Sequence, residues 1–175
     1  GPLPAELTPT AGTALPLVRY SATNSRTSPA GAWCKVETTF SPPLNLSGQQ
    51  GLGVWVCGDG QGEVLNVQLK SPAHVSHADG EHYIVIDFTG WRYFELIEPE
   101  GERYAQYQWP YGNIYSIYRE SVNYSQIETL ALWYNNLPPG KEAACYLAPV
   151  RAVPLATGKL VSPTVAVGGK TVAFP

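Results

Sequence analysis

The segment Val64-Leu65-Asn66-Val67-Gln68-Leu69-Lys70 alternates apolar with polar side chains. Successive side chains of a β-strand point to opposite faces of a sheet. Leu65, Val67 and Leu69 are therefore predicted to face a hydrophobic core, while the two amides and the lysine share the opposite face. A strand with one apolar and one polar face is typical of an antiparallel sheet whose second face is not part of the core.

The same alternation recurs in three other segments, Gly53–Gly58, His82–Phe88 and Leu130–Asn135. In each of them the aliphatic side chains occupy every second position, which predicts that they enter the core and that their neighbours point outward. We predict that one sheet surface carries the outward residues of all four segments, namely Trp55, Asn66, Gln68, Lys70, Tyr83, Asp87, Trp133 and Asn135.

The rest of the chain favours an all-β fold, and specifically a β-sandwich. Short runs of β-branched and aromatic residues alternate with clusters of Gly, Pro, Asn and Asp, and no segment shows an apolar repeat of 3.6 residues. The glycine-rich loop 58–62 predicts a β-hairpin. The strands are predicted at 17–20, 33–40, 52–58, 64–70, 82–89, 91–97, 114–118, 127–135 and 143–153.

The composition of the 175 residues excludes several classes of protein. Charged residues make up 14% and the net charge is -3, whereas a nucleic-acid module carries a basic stripe. No apolar run approaches the roughly 20 residues that a membrane helix needs. We therefore expect neither a nucleic-acid nor a membrane partner.

The ends of the chain predict a piece of a larger protein. Residues 1–16 form an irregular lead in which Gly1–Leu3 resembles the remnant of a cleaved tag. Residues 17–155 would form the β-sandwich. Residues 156–175 are interpreted as a linker followed by a hairpin around Gly168 and Gly169, which would be the first hairpin of a following β-domain.

The residue types that perform catalysis or bind metals form no recognisable site. No nucleophile elbow is present, and Asp87 and Glu95 are the only candidates for a carboxylate pair on inner strands. We therefore expect that the chain has no catalytic activity. The histidine-containing segment 74–82 reads as a solvated loop, with a zinc site as the alternative. No cofactor is predicted, and a structural calcium ion stays open.

The three cysteines and the aromatic residues leave alternatives. Three free thiols, or one disulfide and one thiol, are both compatible with the spacing of the cysteines. Two or three of the five tryptophans are expected in the core. The other rings are predicted to form a platform, because a sugar ring stacks its C–H face on an aromatic ring while amides bind its hydroxyl groups. Segment 109–118 adds to this platform Trp109, Tyr111 and Tyr115.

Four segments together resemble the galactose-binding-like β-sandwich, in particular the non-catalytic carbohydrate-binding modules of family 11 and its relatives. These segments are Leu44–Ser47, Gly51–Gly60, Leu65–Leu69 and Asp87–Arg92. The resemblance spans residues 17–153 but does not include 98–126. It implies a jelly-roll module of a secreted or cell-surface bacterial enzyme that degrades polysaccharides, with a poly- or oligosaccharide and the catalytic domain of the same parent chain as partners.

Two other functions stay open at this stage. The same fold could serve as a structural spacer that packs its aromatic face against a catalytic domain without binding sugar. A small jelly-roll lyase or hydrolase is the third hypothesis, and the absence of a convincing acid–base pair argues against it.

Overall fold

A computed structural model of the chain describes residues 17–72, 77–96, 122–154, 164–167 and 170–173. For 77–78 and for the last two segments the description covers the backbone. The predicted strand 114–118 and residues 98–121 of the insert 98–126 lie outside these residues. Every regular element within the described ranges is a β-strand, and none of them contains a helix long and apolar enough to cross a bilayer.

Within the described ranges, nine strands form the two main sheets and two short strands form a separate hairpin. The strands are β1 (Val18–Thr23), β2 (Trp33–Leu44), β3 (Gln49–Asp59), β4 (Glu63–Pro72), β5 (His77–Ile86), β6 (Thr89–Leu96), β7 (Ile127–Asn135), β8 (Glu142–Leu147), β9 (Arg151–Pro154), β10 (Thr164–Val167) and β11 (Lys170–Ala173).

The two main sheets are antiparallel and pack into a sandwich, which confirms the predicted fold class. One sheet has the order β1-β8-β3-β6, with β9 also paired to β3, and the other has the order β2-β7-β4-β5. A single cluster of buried apolar side chains is shared by both sheets. The inward positions predicted for β3, β4 and β5 are all buried, among them Leu65, Val67 and Ile86, which are fully inaccessible to solvent. Burial of each such side chain contributes about 1.5–3 kcal/mol.

The predicted hairpin at loop 58–62 is wrong, because β3 and β4 belong to different sheets. Gly60 and Gly62 do adopt positive φ angles of 79° and 86°. A turn signal predicts where the chain reverses but not which strand it pairs with afterwards. The loop is a corner between the sheets, and β4 pairs along its whole length with β5.

The core contains tyrosines where tryptophans were expected. Tyr134 and Tyr20 are buried and their rings stack at 5.0 Å between centroids. All four described tryptophans are half-buried or exposed, so the expectation of two or three core tryptophans is wrong. Aliphatic residues fill the inward positions of the alternating strands, and this places Trp55 and Trp133 on outward positions.

The predicted strand 143–153 is interrupted. β8 ends at Leu147 and β9 begins at Arg151, and both pair with β3 at successive positions. Pro149 lies between them and has no N–H to donate to a ladder, which accounts for the break. The predicted C-terminal hairpin is present, because Val167 of β10 pairs with Lys170 of β11. Its assignment to a following domain stays a prediction.

The described part of the histidine segment is not the solvated loop that its composition indicates. Its described part, from His77 onward, belongs to β5, where His82 is buried opposite Val67. Pairing along the whole of β4 overrides the local turn-forming composition. The three cysteines are free thiols, and burial raises the pKa of Cys145 to about 12. Among the described residues, no group of three His, Cys, Asp or Glu side chains could hold a metal ion.

The corner between the sheets is fastened by the carboxylate of Asp59. It accepts hydrogen bonds from the backbone N–H of Gln61 (3.1 Å) and of Ala144 (2.8 Å), and from the Gln61 side chain (2.8 Å). Burial by itself raises the pKa of Asp59, but these hydrogen bonds outweigh it and hold the pKa below its usual value. The loop is thereby tied to β8.

We expect Asp59→Ala to lower the free energy of unfolding by about 1–3 kcal/mol, because it leaves the partly buried N–H of Ala144 without an acceptor. Urea denaturation measures the change. Gln61→Ala is the control and should have a clearly smaller effect, since it removes only two exposed hydrogen bonds, to Asp59 and to the carbonyl oxygen of Glu142, and leaves the partly buried bond from Ala144 intact. Equal losses in the two variants would contradict this role of Asp59.

Candidate functional site

The candidate site is the outward surface of the four-stranded sheet, which we call the polar face. Register places the residues of the four strands in rows across it. One row consists of Lys35, Trp133, Asn66 and Tyr83. The remaining rows add Trp33, Asn135, Val64 and Val85; Glu37, Ala131, Gln68 and Glu81; and Thr39, Thr129, Lys70 and Asp79.

A chain of hydrogen bonds fixes the indole of Trp133 on this face. Its Nε1–H donates to Oε1 of Gln68 at 3.1 Å, and Nε2 of Gln68 donates to Oε1 of Glu81 at 2.7 Å. The hydroxyl group of Tyr83 donates to the second oxygen of Glu81. Gln68 is only 5% exposed. Gln68 therefore orients the Trp133 ring by binding its Nε1–H, and its amide is not presented to a ligand.

A second indole extends the aromatic surface. Trp33 lies at the start of β2 with 56% of its surface exposed, and its ring is 5.0 Å from that of Trp133 at an angle of 51°. The ammonium group of Lys35 is 5.0 Å from the centroid of the Trp133 ring. It also pairs with Glu37 at 2.7 Å, a hydrogen bond that lowers the pKa of Glu37. Two rings and a cation thus lie side by side.

Polar groups surround the rings on the remaining strands. Asn66 lies between Trp133 and Tyr83 in its row and is 3% exposed. Its Oδ1 has no hydrogen-bond donor among the described residues, and a buried acceptor of this kind is normally satisfied by water or a ligand. Lys70 and Asp79 form a looser pair at 3.9 Å two rows further on.

The predicted site residues fall into three groups: those on the polar face, those outside the described residues, and two that lie elsewhere. The predicted residues that do share the polar face are Asn66, Gln68, Lys70, Tyr83, Trp133 and Asn135. The ring-bearing residues Trp109, Tyr111 and Tyr115 lie outside the described residues. The ligand contacts assigned to these nine residues stay predictions.

Two of the predicted placements are wrong. Trp55 lies on the outward surface of the five-stranded sheet, because β3 pairs with β6, β8 and β9. Alternation distinguishes inward from outward but cannot tell which sheet a strand joins. Asp87 is not on a strand. It is an exposed residue between β5 and β6, where the chain crosses from one sheet to the other and Phe88 enters the core.

Five contributors to the polar face are absent from the predicted set, namely Trp33, Lys35, Glu37, Asp79 and Glu81. A signal for three of them was available, since the alternation of segment 33–40 places every second residue of β2 on one side. Glu81 lies in the segment whose composition indicates a loop. Its role follows only from its pairing opposite Gln68.

We expect Gln68→Leu to lower the affinity for any ligand that stacks on Trp133, because the indole loses the bond that orients it. The substitution also removes the donor to Glu81, and a lost bond to a charged group costs about 1.5–3 kcal/mol of stability. Gln68→Met is the matched variant, because it keeps the length of the side chain but has no amide oxygen to accept from the indole. If both variants bind as the wild type does, Gln68 does not position the ring.

The fold has relatives of known structure. No protein-family model and no curated protein matches the sequence. The structure of a family 30 carbohydrate-binding module has a TM-score of 0.53 at 12% identity, over 90% of this chain and 82% of that one. A family 11 carbohydrate-binding module from Clostridium thermocellum, in complex with a beta-1,3-1,4-mixed-linked tetrasaccharide, has a TM-score of 0.42 at 11% identity, over 82% and 92%. The chain thus has a β-sandwich fold similar to that of the family 30 carbohydrate-binding module.

Proposed function

We propose that this chain is a non-catalytic carbohydrate-binding module that binds its glycan on the polar face. The observation that carries the proposal is the pair of adjacent indoles, Trp33 and Trp133, beside the ammonium group of Lys35 and the carboxylate of Glu37. The apolar C–H face of a pyranose ring stacks on an aromatic ring, and its hydroxyl groups need hydrogen-bond acceptors and donors close by. The polar face supplies both on one surface.

The contacts on the polar face support a role for each residue within this proposal. Trp33 and Trp133 would stack on successive sugar rings. Lys35 would donate a hydrogen bond to a sugar oxygen, and the exposed carboxylate of Glu37 would accept one from a hydroxyl group. Gln68, which the sequence predicts as a ligand contact, would instead hold Trp133 in place, because both ends of its amide are engaged within the protein.

The wider context is part of the same proposal. The similarity of the fold to a family 30 carbohydrate-binding module supports it. The module would belong to a secreted or cell-surface bacterial enzyme that degrades polysaccharides, with the catalytic domain in the same parent chain. Binding by one such face is expected to be weak, with a Kd between about 1 µM and 1 mM. Several modules on one enzyme would raise the avidity.

The direct test is calorimetric titration of the chain with a panel of oligosaccharides. The panel contains cellotetraose, laminaritetraose, xylotetraose, mannotetraose and tetragalacturonate. The proposal predicts saturable binding of at least one of them, accompanied by a change in tryptophan fluorescence. If the whole panel shows no binding at millimolar concentration, the proposal fails and the structural spacer becomes the favoured function. A spacer would bury Trp33 and Trp133 against another domain of the parent chain.

A further inference from the structure

A depression lies on the outward surface of the other sheet. Its volume is ≈ 350 Å³, within the range of about 300–1,000 Å³ that is typical of pockets for small ligands. The residues that line it are Gly53, Val54, Trp55, Tyr93, Ala148, Pro149 and Arg151. All of them belong to the five-stranded sheet or to the connection between β8 and β9. The depression is therefore separate from the polar face.

Two aromatic rings form one wall of the depression. Trp55 and Tyr93 are cross-strand partners on β3 and β6, and their ring centroids are 5.4 Å apart at 48°. Tyr93 is 45% exposed and Trp55 is half-buried. A Cβ atom on Gly53 would overlap the hydroxyl group of Tyr93. The phenol thus lies across the bare backbone of Gly53, and the glycine makes room for this ring.

A guanidinium group borders the same depression. Arg151 pairs with Gly53 from the β9 side and is exposed. It has no ion pair or hydrogen bond with another side chain among the described residues. Its planar group carries five donors in a fixed geometry. Glu95 pairs with Gly53 from the β6 side and is the other charged residue beside this glycine.

We propose that this depression is a second carbohydrate site, which takes one pyranose residue. The sugar would stack on Tyr93 and Trp55, and Arg151 would donate hydrogen bonds to neighbouring hydroxyl oxygens. A concave site of this volume fits a small ligand better than a packed domain, because a stable protein interface covers about 800 Å² on each partner. The ligand class is that of the proposed function, but binding here does not depend on the polar face.

Two sites on opposite sheets have a functional consequence. The outward surfaces of a sandwich point in opposite directions. The sugar residues bound at the two sites would therefore belong to different polysaccharide chains, or to distant parts of one polysaccharide chain. A module of this kind could hold two polysaccharide strands at once. The second contact would then raise the overall avidity, although each site is weak.

The test records the indole N–H signals of the full chain by NMR during titration with the same oligosaccharide panel. Trp55→Phe and Trp133→Phe assign the two signals that matter. The proposal predicts that the Trp55 signal shifts saturably with at least one oligosaccharide. The shift should persist in Trp133→Ala, because that variant leaves the depression intact.

Variants of the depression make the test specific. Tyr93→Ala and Arg151→Gln should each raise the Kd read from the Trp55 signal about tenfold, which corresponds to a loss of about 1.4 kcal/mol of binding free energy. Tyr146→Ala is the matched control, since it removes an equally exposed tyrosine of the same sheet that does not line the depression. An unmoved Trp55 signal, or equal effects of Tyr93→Ala and Tyr146→Ala, would overturn the second site. The Trp133 signal reports separately on the proposed function.

Discussion

Trp133→Ala is expected to weaken oligosaccharide binding at the polar face by at least about tenfold, and by up to about a hundredfold, or about 1.4–2.7 kcal/mol. The variant removes the ring that three other side chains position. The indole is held by Gln68, approached by Lys35 and extended by Trp33. Aromatic residues at the centre of a contact surface carry a large share of its binding energy.

Isothermal titration calorimetry with the oligosaccharide that binds the wild type measures this loss. Trp91→Ala is the matched control, because it removes a half-buried tryptophan from the outward surface of the other sheet. Trp133→Phe should recover part of the affinity, since a smaller ring remains. If Trp133→Ala binds as tightly as Trp91→Ala does, the stacking platform lies elsewhere.

The second large effect concerns stability and its dependence on pH. Glu63 begins β4 and is completely buried. One of its oxygens accepts a hydrogen bond from the Tyr134 hydroxyl group at 2.6 Å, whereas the other has no hydrogen-bond partner in the described part of the chain. Burial raises the pKa of Glu63 to about 7, although the bond from Tyr134 acts in the opposite direction.

The direction of the effect follows from proton linkage. In the unfolded chain the Glu63 carboxyl group has its ordinary pKa of 4.5. Between pH 4.5 and about 7 the folded state therefore binds one proton that the unfolded state has released. The contribution of Glu63 to stability is greatest below its ordinary pKa and is lost as the pH rises through about 7. A raise of this size corresponds to about 3 kcal/mol between the two limits.

Urea unfolding at several pH values between about 4 and 8 measures this loss. Glu63→Gln keeps the size and the hydrogen-bond acceptor but cannot ionise, so its stability should change far less over this range. The difference between the two pH profiles isolates Glu63 from other titrating groups. Glu95→Gln is the control at an exposed carboxylate and should retain the profile of the wild type. Parallel profiles of the wild type and Glu63→Gln would contradict this account.

The period of two in β4 and β5 was enough to predict which side chains enter the core. Leu65, Val67 and Ile86 are buried as the alternation predicts. The same rule could not place Trp55, because a strand alternates in the same way in either sheet of a sandwich. Partner choice depends on contacts between residues distant in the chain, such as the pairing of β3 with β8 and β9. Local composition does not encode these contacts.

The sequence was enough to predict which side of the sheet the site residues face, but not how deeply they are buried. Alternation correctly turned Asn66, Gln68 and Trp133 away from the core. It could not show that the two amides are almost fully buried. Nor could it show that the amide of Gln68 is hydrogen-bonded to Trp133 and Glu81. Such side chain pairings arise only once β4, β5 and β7 are in register. For this reason a residue predicted to bind ligand becomes a positioning residue.

Shifts of the backbone amide NMR signals during titration show directly whether a glycan lies on the polar face. With an oligosaccharide that binds, we predict that the largest shifts fall on the row of Lys35, Trp133, Asn66 and Tyr83, with further shifts at Trp33. Shifts elsewhere on the sandwich with none along this row would contradict glycan binding on the polar face.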